Sequence, residues 1–221
     1  MQARPQHLPA PVFVRGNGGQ EDRRPASCWS CHGPVEPGRP FCSVCDAVQP
    51  PGQVDHFTRL GLEADFNIDK KNLDSLYFAL QRLLHPDRFA TKSPREKALS
   101  QQQATSLNEA YEALKDDLGR ADYLIRLKGT KVLPEGCNLV NDALLLAETL
   151  ELREALSEAE TPDDVEVLAR RADCDIRVCV EQLAELFAAD DLEGACRQTT
   201  RLKYLRKLAA ETRAARARVG G

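Results

Sequence analysis

Four cysteines are bunched near the start of the chain, in the stretch CWSCHGPVEPGRPFCSVC. Cys28 and Cys31 form one C-x-x-C pair, and Cys42 and Cys45 form a second pair after ten intervening residues. Two such pairs, each in a tight turn, can present four thiolates in a tetrahedron, the coordination that Zn²⁺ prefers in structural sites. The spacing therefore predicts one structural zinc ion held by all four cysteines, which leaves no coordination position for a catalytic water.

Other uses of these cysteines stay open, namely a redox-active dithiol and an iron–sulfur ligand set. The presence of two pairs argues against the redox dithiol. No apolar stretch typical of a secretion signal precedes the pairs, and bunched cysteines in such a chain favour metal binding over disulfides. A segment as short as 27–52 cannot bury a self-supporting core, so we expect the metal to supply its folding free energy.

A second group of reactive residue types, His85, Pro86 and Asp87, follows an amphipathic stretch in RLLHPDRFA. One interpretation is an acid–base pair of His85 and Asp87. The sequence shows neither a nucleophile elbow nor a Gly-rich phosphate loop to accompany such a pair. The other interpretation is a helix end, at which the proline stops the helix and Asp87 begins a turn. On the residues alone, the helix end is favoured.

The elements around this tripeptide are predicted to be helices. A short helix is expected at about 54–61, and a longer one at about 69–84 has one continuous apolar face made of Leu73, Leu76, Tyr77, Leu80, Leu83 and Leu84. A third helix begins with a capping box at Ser93-Pro94-Arg95-Glu96 and includes Ala98 among its apolar positions. The second and third helices therefore form an antiparallel hairpin with His85-Pro86-Asp87 at its tip.

The whole chain is predicted to be all-α, with five successive parts. These are a disordered segment at 1–26, the cysteine module at 27–52, the hairpin domain at 53–128, a linker at 129–140 and a three-helix bundle at 141–218. The second bundle helix begins at Thr161-Pro162-Asp163-Asp164, which is another capping signal. Aromatic residues are only 5% of the chain, and the net charge of −4 argues against binding to nucleic acid.

No apolar run reaches the ~20 residues that a membrane span needs. We expect a bacterial cytoplasmic protein. The mitochondrial matrix is the alternative, because several arginines among the first 24 residues are typical of a transit segment. Three prolines before residue 12 argue against it, because they disfavour the amphipathic helix of such a segment.

Three stretches resemble the J-domain of DnaJ-type co-chaperones: DHFTRLGL at 55–62, QRLLHPDRF at 81–89 and NEAYEALKDDLGRADYL at 108–124. The resemblance implies that the HPD tripeptide docks on a DnaK-type chaperone and triggers its ATP hydrolysis. The implied docking residues are His85, Pro86 and Asp87, with supporting charges from Lys70, Lys71, Arg82 and Arg88. Asp74 interrupts this basic face.

The order of the parts resembles the HscB family, the J-type co-chaperones of iron–sulfur cluster assembly, in the form with an N-terminal tetracysteine module. LLAETLELREALSEAE at 145–160 and TRLKYLRKL at 200–208 carry the rest of the likeness. It implies that the bundle binds an IscU-type scaffold protein through Leu146, Ala147, Leu150, Glu151, Glu154, Glu158 and Tyr204. Periodicity alone would instead place Leu146 and Leu150 in the bundle core and leave the glutamates on a solvated face.

The function expected from these features is that of a non-enzymatic adaptor. It would activate the ATPase of an HscA/DnaK-class chaperone and assemble a complex with the scaffold protein. Three rivals stay open: a J-protein for a different client, a zinc-module protein that binds nucleic acid, and an enzyme that uses His85.

Overall fold

The structure is a computed structural model that describes residues 26–129 and 143–219, with side chains at 26–129 and 147–216. The expected disordered segment and the expected linker lie outside the described residues, apart from residues 26 and 129. The chain divides into two compact units, Met1–Asp116 and Asp117–Gly221. The fold is mostly helical, as the sequence predicts. Among the described residues, no helix combines the length and apolar character that crossing a bilayer needs.

The first unit opens with the cysteine module, whose turns are joined by a small sheet that the sequence did not predict. Strands β1 (Ala26–Ser27) and β2 (Pro34–Val35) pair antiparallel, with Ala26 opposite Val35. An isolated bridge joins Phe41 to Val48. Cys28, Val35 and Cys42 form a small buried cluster, against which Ala47 packs.

Three α-helices and one short 3-10 helix follow the cysteine module in the described part of the first unit. They are α1 (His56–Leu60), α2 (Lys70–Leu84), the 3-10 helix Pro86–Phe89 and α3 (Pro94–Lys115). Asp55 and Asp69 cap α1 and α2 by accepting hydrogen bonds from backbone N–H groups. The predicted capping box at Ser93 and Glu96 is confirmed, with Pro94 in the first turn of α3.

The core of this unit lies where α1 and α2 pack against α3. Of the predicted apolar face of α2, Leu73, Leu80 and Leu84 are buried. They meet the buried faces of α1 and α3, which include Phe57, Leu60, Leu107, Ala110 and Leu114. Ala98 was expected on the apolar face of α3 and is exposed instead, because the next two residues, Leu99 and Ser100, take the buried positions at this end of the helix.

The second unit contains α4 (Asp117–Gly129), α5 (Ala143–Glu158), α6 (Pro162–Ala188) and α7 (Leu192–Val219). Helices α6 and α7 form a long hairpin, and α5 packs against both, which confirms the three-helix bundle. Leu152, Ala172, Leu208 and Ala209 form one buried cluster where the three helices meet. Helix α4 packs against α7 and belongs to this unit, although the sequence grouped it with the hairpin domain.

Candidate functional site

The four cysteines of the module converge on one point. The Sγ atoms of Cys28 and Cys45 are 3.7 Å apart, as are those of Cys31 and Cys42, and all four lie within 4.8 Å of one another. A tetrahedron of sulfurs at the Zn–S distance of ~2.3 Å has edges of about 3.8 Å. The ligand atoms are therefore placed as a tetrahedral metal site requires.

The turn of the first cysteine pair points its backbone N–H groups at sulfur. The N–H of Ser30 donates to the Sγ of Cys28 at 3.3 Å, and the N–H of His32 donates to the carbonyl oxygen of Cys28 at 3.0 Å. The N–H of Cys28 donates to the carbonyl oxygen of Gly33 at 2.8 Å, which closes the turn. His32 has a φ of 62°.

The second pair repeats this turn fourteen positions later. The N–H of Val44 donates to the Sγ of Cys42 at 3.4 Å, and the N–H of Asp46 donates to the carbonyl oxygen of Cys42 at 3.0 Å. Asp46 has a φ of 58°, matching the left-handed position of the first turn. The two halves of the site are therefore near-equivalent, and each directs a backbone N–H group at the sulfur of its first cysteine.

The thiols of Cys28 and Cys31 differ in their tendency to ionise. Burial opposes ionisation of Cys28, but hydrogen bonds from the N–H groups of Cys31 and Ser30 and from neighbouring thiols lower its pKa to about 6. A hydrogen bond from the Gly33 backbone favours ionisation of Cys31, but the nearby thiols and burial outweigh it and raise that pKa to about 12. The Cys28 thiol therefore ionises more readily than the Cys31 thiol, and a bound metal ion would offset the repulsion between the two thiolates.

Gln49 is a member of this site that the sequence did not indicate. Its side chain is buried, and its Nε2 donates to the Sγ of Cys28 at 3.3 Å and to the carbonyl oxygen of Ala47 at 2.7 Å. The backbone oxygen of Gln49 accepts a buried 2.9 Å hydrogen bond from the Nε2 of Gln103 in α3. A glutamine before a proline pair carries no signal for such a role, because its burial depends on the fold.

Trp29 makes a second connection between the module and α3. Its Nε1 donates to the carbonyl oxygen of Val48 at 2.6 Å, and the guanidinium carbon of Arg95 lies 4.4 Å from the centre of the indole ring. This is the geometry of a cation–π contact. The cysteine module is thus joined to α3 by two contacts, the Gln103–Gln49 hydrogen bond and the Arg95–Trp29 contact.

The HPD tripeptide lies at the tip of the α2–α3 hairpin, as the sequence predicts. His85 follows the last residue of α2, and Pro86 begins the 3-10 helix. The side chains of His85 and Asp87 are 52% and 89% exposed, so both are available to a partner. The Nδ1 of His85 accepts a hydrogen bond from the N–H of Asp87 at 3.3 Å and lies 3.5 Å from an Asp87 carboxylate oxygen.

Two buried residues, Ser100 and Phe89, attach the hairpin tip to the core of the first unit. The hydroxyl of Ser100 in α3 donates a 2.7 Å hydrogen bond to the carbonyl oxygen of Leu84, the last residue of α2. Phe89, which ends the 3-10 helix, is only 7% exposed, and this helix packs against α3. The residues on both sides of the tripeptide are therefore attached to α3, while its own side chains face solvent.

The charges expected to support the tripeptide are exposed. Lys70, Lys71, Arg82 and Arg88 all have exposed side chains on or beside α2. Asp74, which interrupts this basic face, accepts a 2.9 Å hydrogen bond from the hydroxyl of Tyr111 in α3. This contact and burial raise the pKa of Tyr111. The carboxylate is therefore directed toward the hairpin seam.

The residues expected to bind a scaffold protein lie mostly on the outward face of α5. Ala147, Leu150, Glu151, Glu154 and Glu158 are all exposed, and Leu150 is 59% exposed. The alternative that Leu150 belongs to the bundle core is wrong, because Thr149 and Leu152 take the buried positions instead. The side chain of Leu146 lies outside the described residues.

Tyr204 lies at the seam between α7 and α5. It is half-buried and lines a shallow pocket with Glu148, Thr149 and Leu152. The structure therefore places Tyr204 beside the buried edge of α5, whereas the exposed carboxylates face outward. Across this seam, Arg201 of α7 forms a 2.8 Å ion pair with Glu148.

A helical hairpin with an exposed HPD tip, followed by a helical bundle, defines a J-domain co-chaperone. The family model described as the HSCB C-terminal oligomerisation domain matches residues 141–213. The chain is 34% identical to the human iron–sulfur cluster co-chaperone protein HscB, over 80% of this chain and 77% of the human protein. It is 36% identical to the co-chaperone protein HscB homolog of Vibrio cholerae, over 72% of this chain and 94% of that protein.

The solved structures agree with the sequence relatives. The crystal structure of human co-chaperone protein HscB superposes with a TM-score of 0.78 at 32% identity, covering 86% of this chain and 98% of the human one. The chain belongs to the HscB family of iron–sulfur cluster co-chaperones. The resemblance drawn from the sequence is confirmed, and the family consists of co-chaperones and not of enzymes.

Proposed function

We propose that the protein stimulates ATP hydrolysis by an HscA/DnaK-class chaperone and delivers an IscU-type scaffold protein to it. The observation that carries this proposal is the HPD tripeptide, which is exposed at the hairpin tip and fixed by the Ser100–Leu84 hydrogen bond. A rigid tip with two exposed polar side chains is suited to docking, because little conformational entropy is lost on binding.

The exposed cations around the tip would guide the encounter. Lys71 and Arg82 lie on the outward face of α2, and Arg88 follows the tripeptide. Such a surface fits an acidic patch on the chaperone and raises the association rate more than the final affinity. The binding should therefore weaken as the salt concentration rises.

The outward face of α5 is the proposed surface for the scaffold protein. Leu150 offers an apolar contact that is not used within the bundle, and the exposed carboxylates of Glu151, Glu154 and Glu158 follow it along α5. This arrangement of an apolar centre and a charged rim is that of a specific protein interface. Holding the scaffold and the chaperone on one molecule raises their effective concentration for each other.

The metal of the cysteine cluster is proposed to be Zn²⁺ in a structural role. Cys28, Cys31, Cys42 and Cys45 would hold it, and their sulfur separations fit a tetrahedral site. Four thiolate ligands leave no open position for a substrate, so the ion would stabilise the fold. We further propose a location in the bacterial cytoplasm, with the mitochondrial matrix as the alternative, since relatives occur in both bacteria and eukaryotes.

Steady-state ATP hydrolysis by the chaperone tests this proposal. The protein, the scaffold protein and both together are added to the chaperone, and the rates are compared with those given by His85→Gln and Asp87→Asn. A matched control is Asp173→Asn, which changes an exposed carboxylate in the middle of α6. We expect synergistic stimulation that the control retains and both tip variants lose.

The other outcomes separate the rival functions. Stimulation by the protein that the scaffold does not increase would keep the J-domain role and move the client elsewhere. If the wild-type protein leaves the ATPase rate unchanged, the co-chaperone proposal fails. In that event salt-dependent binding to DNA or RNA would become the next function to measure.

A further inference from the structure

Phe78 is a large apolar side chain in the middle of the charged outward face of α2. Its side chain is 52% exposed, although aromatic residues are scarce in this chain. In the helix, Phe78 lies one turn before Arg82 and two turns after Lys71, and the three side chains share one face. A single exposed apolar side chain is common on protein surfaces, so Phe78 is distinguished by its position among the cations of α2 and not by its exposure.

The ring of Phe78 is also held in place. It packs edge to face on Tyr77, with ring centroids 5.2 Å apart, and Tyr77 stacks on Tyr111 of α3 at 4.0 Å. The hydroxyl of Tyr77 donates to Asn108 at 3.0 Å and accepts from Gln81 at 3.1 Å. Phe78 therefore projects from an aromatic ladder that crosses the hairpin, so that ordering it on binding costs little entropy.

Phe78 is continuous with the HPD tip. His85 is seven residues later in the chain, so the two positions lie on the same face of α2, about 10.5 Å apart along the axis. A partner that covers His85 and the flanking cations of α2 must also cover Phe78. Aromatic side chains that become buried near the centre of an interface are among those that contribute most to binding.

We propose that Phe78 is an apolar anchor that inserts into the ATPase chaperone, into a pocket with acidic groups at its border. This inference rests on the proposed function and adds a specificity-determining residue to it. The basic flanks set the orientation and the rate of docking, whereas the ring supplies affinity that salt does not screen.

The test titrates Phe78→Ala into the chaperone and measures the concentration that gives half-maximal ATPase stimulation. We expect that concentration to rise about tenfold, as for a buried interfacial aromatic, with the maximal rate unchanged. Phe78→Leu, which keeps most of the apolar area, should recover most of the loss. Val178→Ala, which changes an exposed apolar side chain of α6, is the matched control and should match the wild type.

The dependence on ionic strength distinguishes the contribution of the Phe78 ring to binding from that of the basic residues. The loss in Phe78→Ala should be the same at low and high ionic strength, whereas the loss in Lys71→Ala should shrink as salt is added. Circular dichroism melting of each variant shows whether the protein is folded.

The inference is overturned if Phe78→Ala stays within twofold of the wild type while His85→Gln abolishes stimulation, in which case the proposed function still stands. It is also overturned if the variant changes the sedimentation of the protein alone, which would assign the ring to self-association. A wild-type protein that gives no stimulation would overturn both proposals.

Discussion

The hydroxyl of Ser100 and the carbonyl oxygen of Leu84 are joined by a buried 2.7 Å hydrogen bond between α3 and the end of α2. This carbonyl is among the last four of α2, which have no partner within the helix. Pro86 lies two residues after Leu84, so the helix does not continue and cannot supply the missing N–H donor. A serine on the facing helix supplies it, and the HPD tip begins from a fixed point.

Ser100→Ala should lower the free energy of unfolding of the first unit by about 1–3 kcal/mol, because it leaves a buried carbonyl without a donor. Urea denaturation measures this change. The matched control is Ser75→Ala, which removes a 2.8 Å hydrogen bond to Lys71 at an exposed position of α2 and should stay within about 0.5 kcal/mol of the wild type. Equal effects in the two variants would contradict the anchoring role of Ser100.

Gln103→Ala should also destabilise the first unit, by about 1–3 kcal/mol, because the backbone oxygen of Gln49 would lose its buried donor. Its neighbour Gln102 is exposed, so Gln102→Ala should leave the unfolding midpoint unchanged. We further expect Gln103→Ala to raise the rate of metal loss to a chelator, since Gln49 also donates to the Sγ of Cys28. Unaltered metal-release kinetics would show that the two contacts are independent.

Removal of the metal should lower the melting temperature of the α1–α3 domain as well as that of the cysteine module. The reason is that Gln49 and Trp29 connect the ligand turns to α3. Trp29 is the sole tryptophan of the chain, so its fluorescence reports on the module directly. Metal content, tryptophan emission and helical ellipticity are followed together during chelation. A helical melting curve that does not shift when the metal is lost would refute the coupling.

The second unit should lose stability in acid partly through the capping box of α6. Hydrogen bonds from the hydroxyl and the backbone N–H of Thr161 hold the pKa of Asp164 below its usual 3.8. The folded state therefore favours the ionised carboxylate, and this contribution is present above pH 3.8 and is lost as the pH falls through the lower folded value. The stability difference between wild type and Asp164→Asn should accordingly be constant near neutral pH and shrink below pH 4.

Thr161→Ala provides the control for this acid dependence, because it removes the hydroxyl donor and leaves the carboxylate in place. Its melting temperature should vary less between pH 5 and pH 3 than that of the wild type. An unchanged pH profile in both variants would mean that other carboxylates determine the acid sensitivity of the bundle.

Leu150→Ala should weaken binding of the scaffold protein by roughly tenfold while changing the stability of the bundle little, because the side chain is 59% exposed. Calorimetric titration with the scaffold measures the affinity. Val167→Ala in α6 is the matched control, since its side chain is 64% exposed on another helix of the same bundle. If the two variants bind the scaffold equally well, the outward face of α5 is not the binding surface.

The features that the sequence predicts best are those whose geometry depends on one local pattern of residues. The C-x-x-C spacing predicted the cysteine cluster, and the caps at Ser93 and Thr161 predicted where α3 and α6 begin. These features depend on residues a few positions apart, so their geometry is largely fixed by the backbone.

Features that join distant segments could not be predicted in this way. Gln103 and Ser100 are ordinary polar residues within a helix, and only tertiary packing decides that their side chains are buried. The exposure of Leu150 could not be predicted either, because the spacing of the apolar residues in α5 does not determine which of them face solvent. Phe78 was missed because it lies outside the apolar stripe and was therefore given no role.

The position of Gln103 also has a consequence for comparisons among related sequences. Its amide reaches a backbone oxygen that belongs to the cysteine module, and Ser100 lies one turn away on the same buried face of α3. A relative that has lost the module would leave this amide facing an uncovered surface, whereas the serine would still be needed at the tip. Residue 103 should therefore covary with the presence of the four cysteines, and residue 100 should vary independently of them.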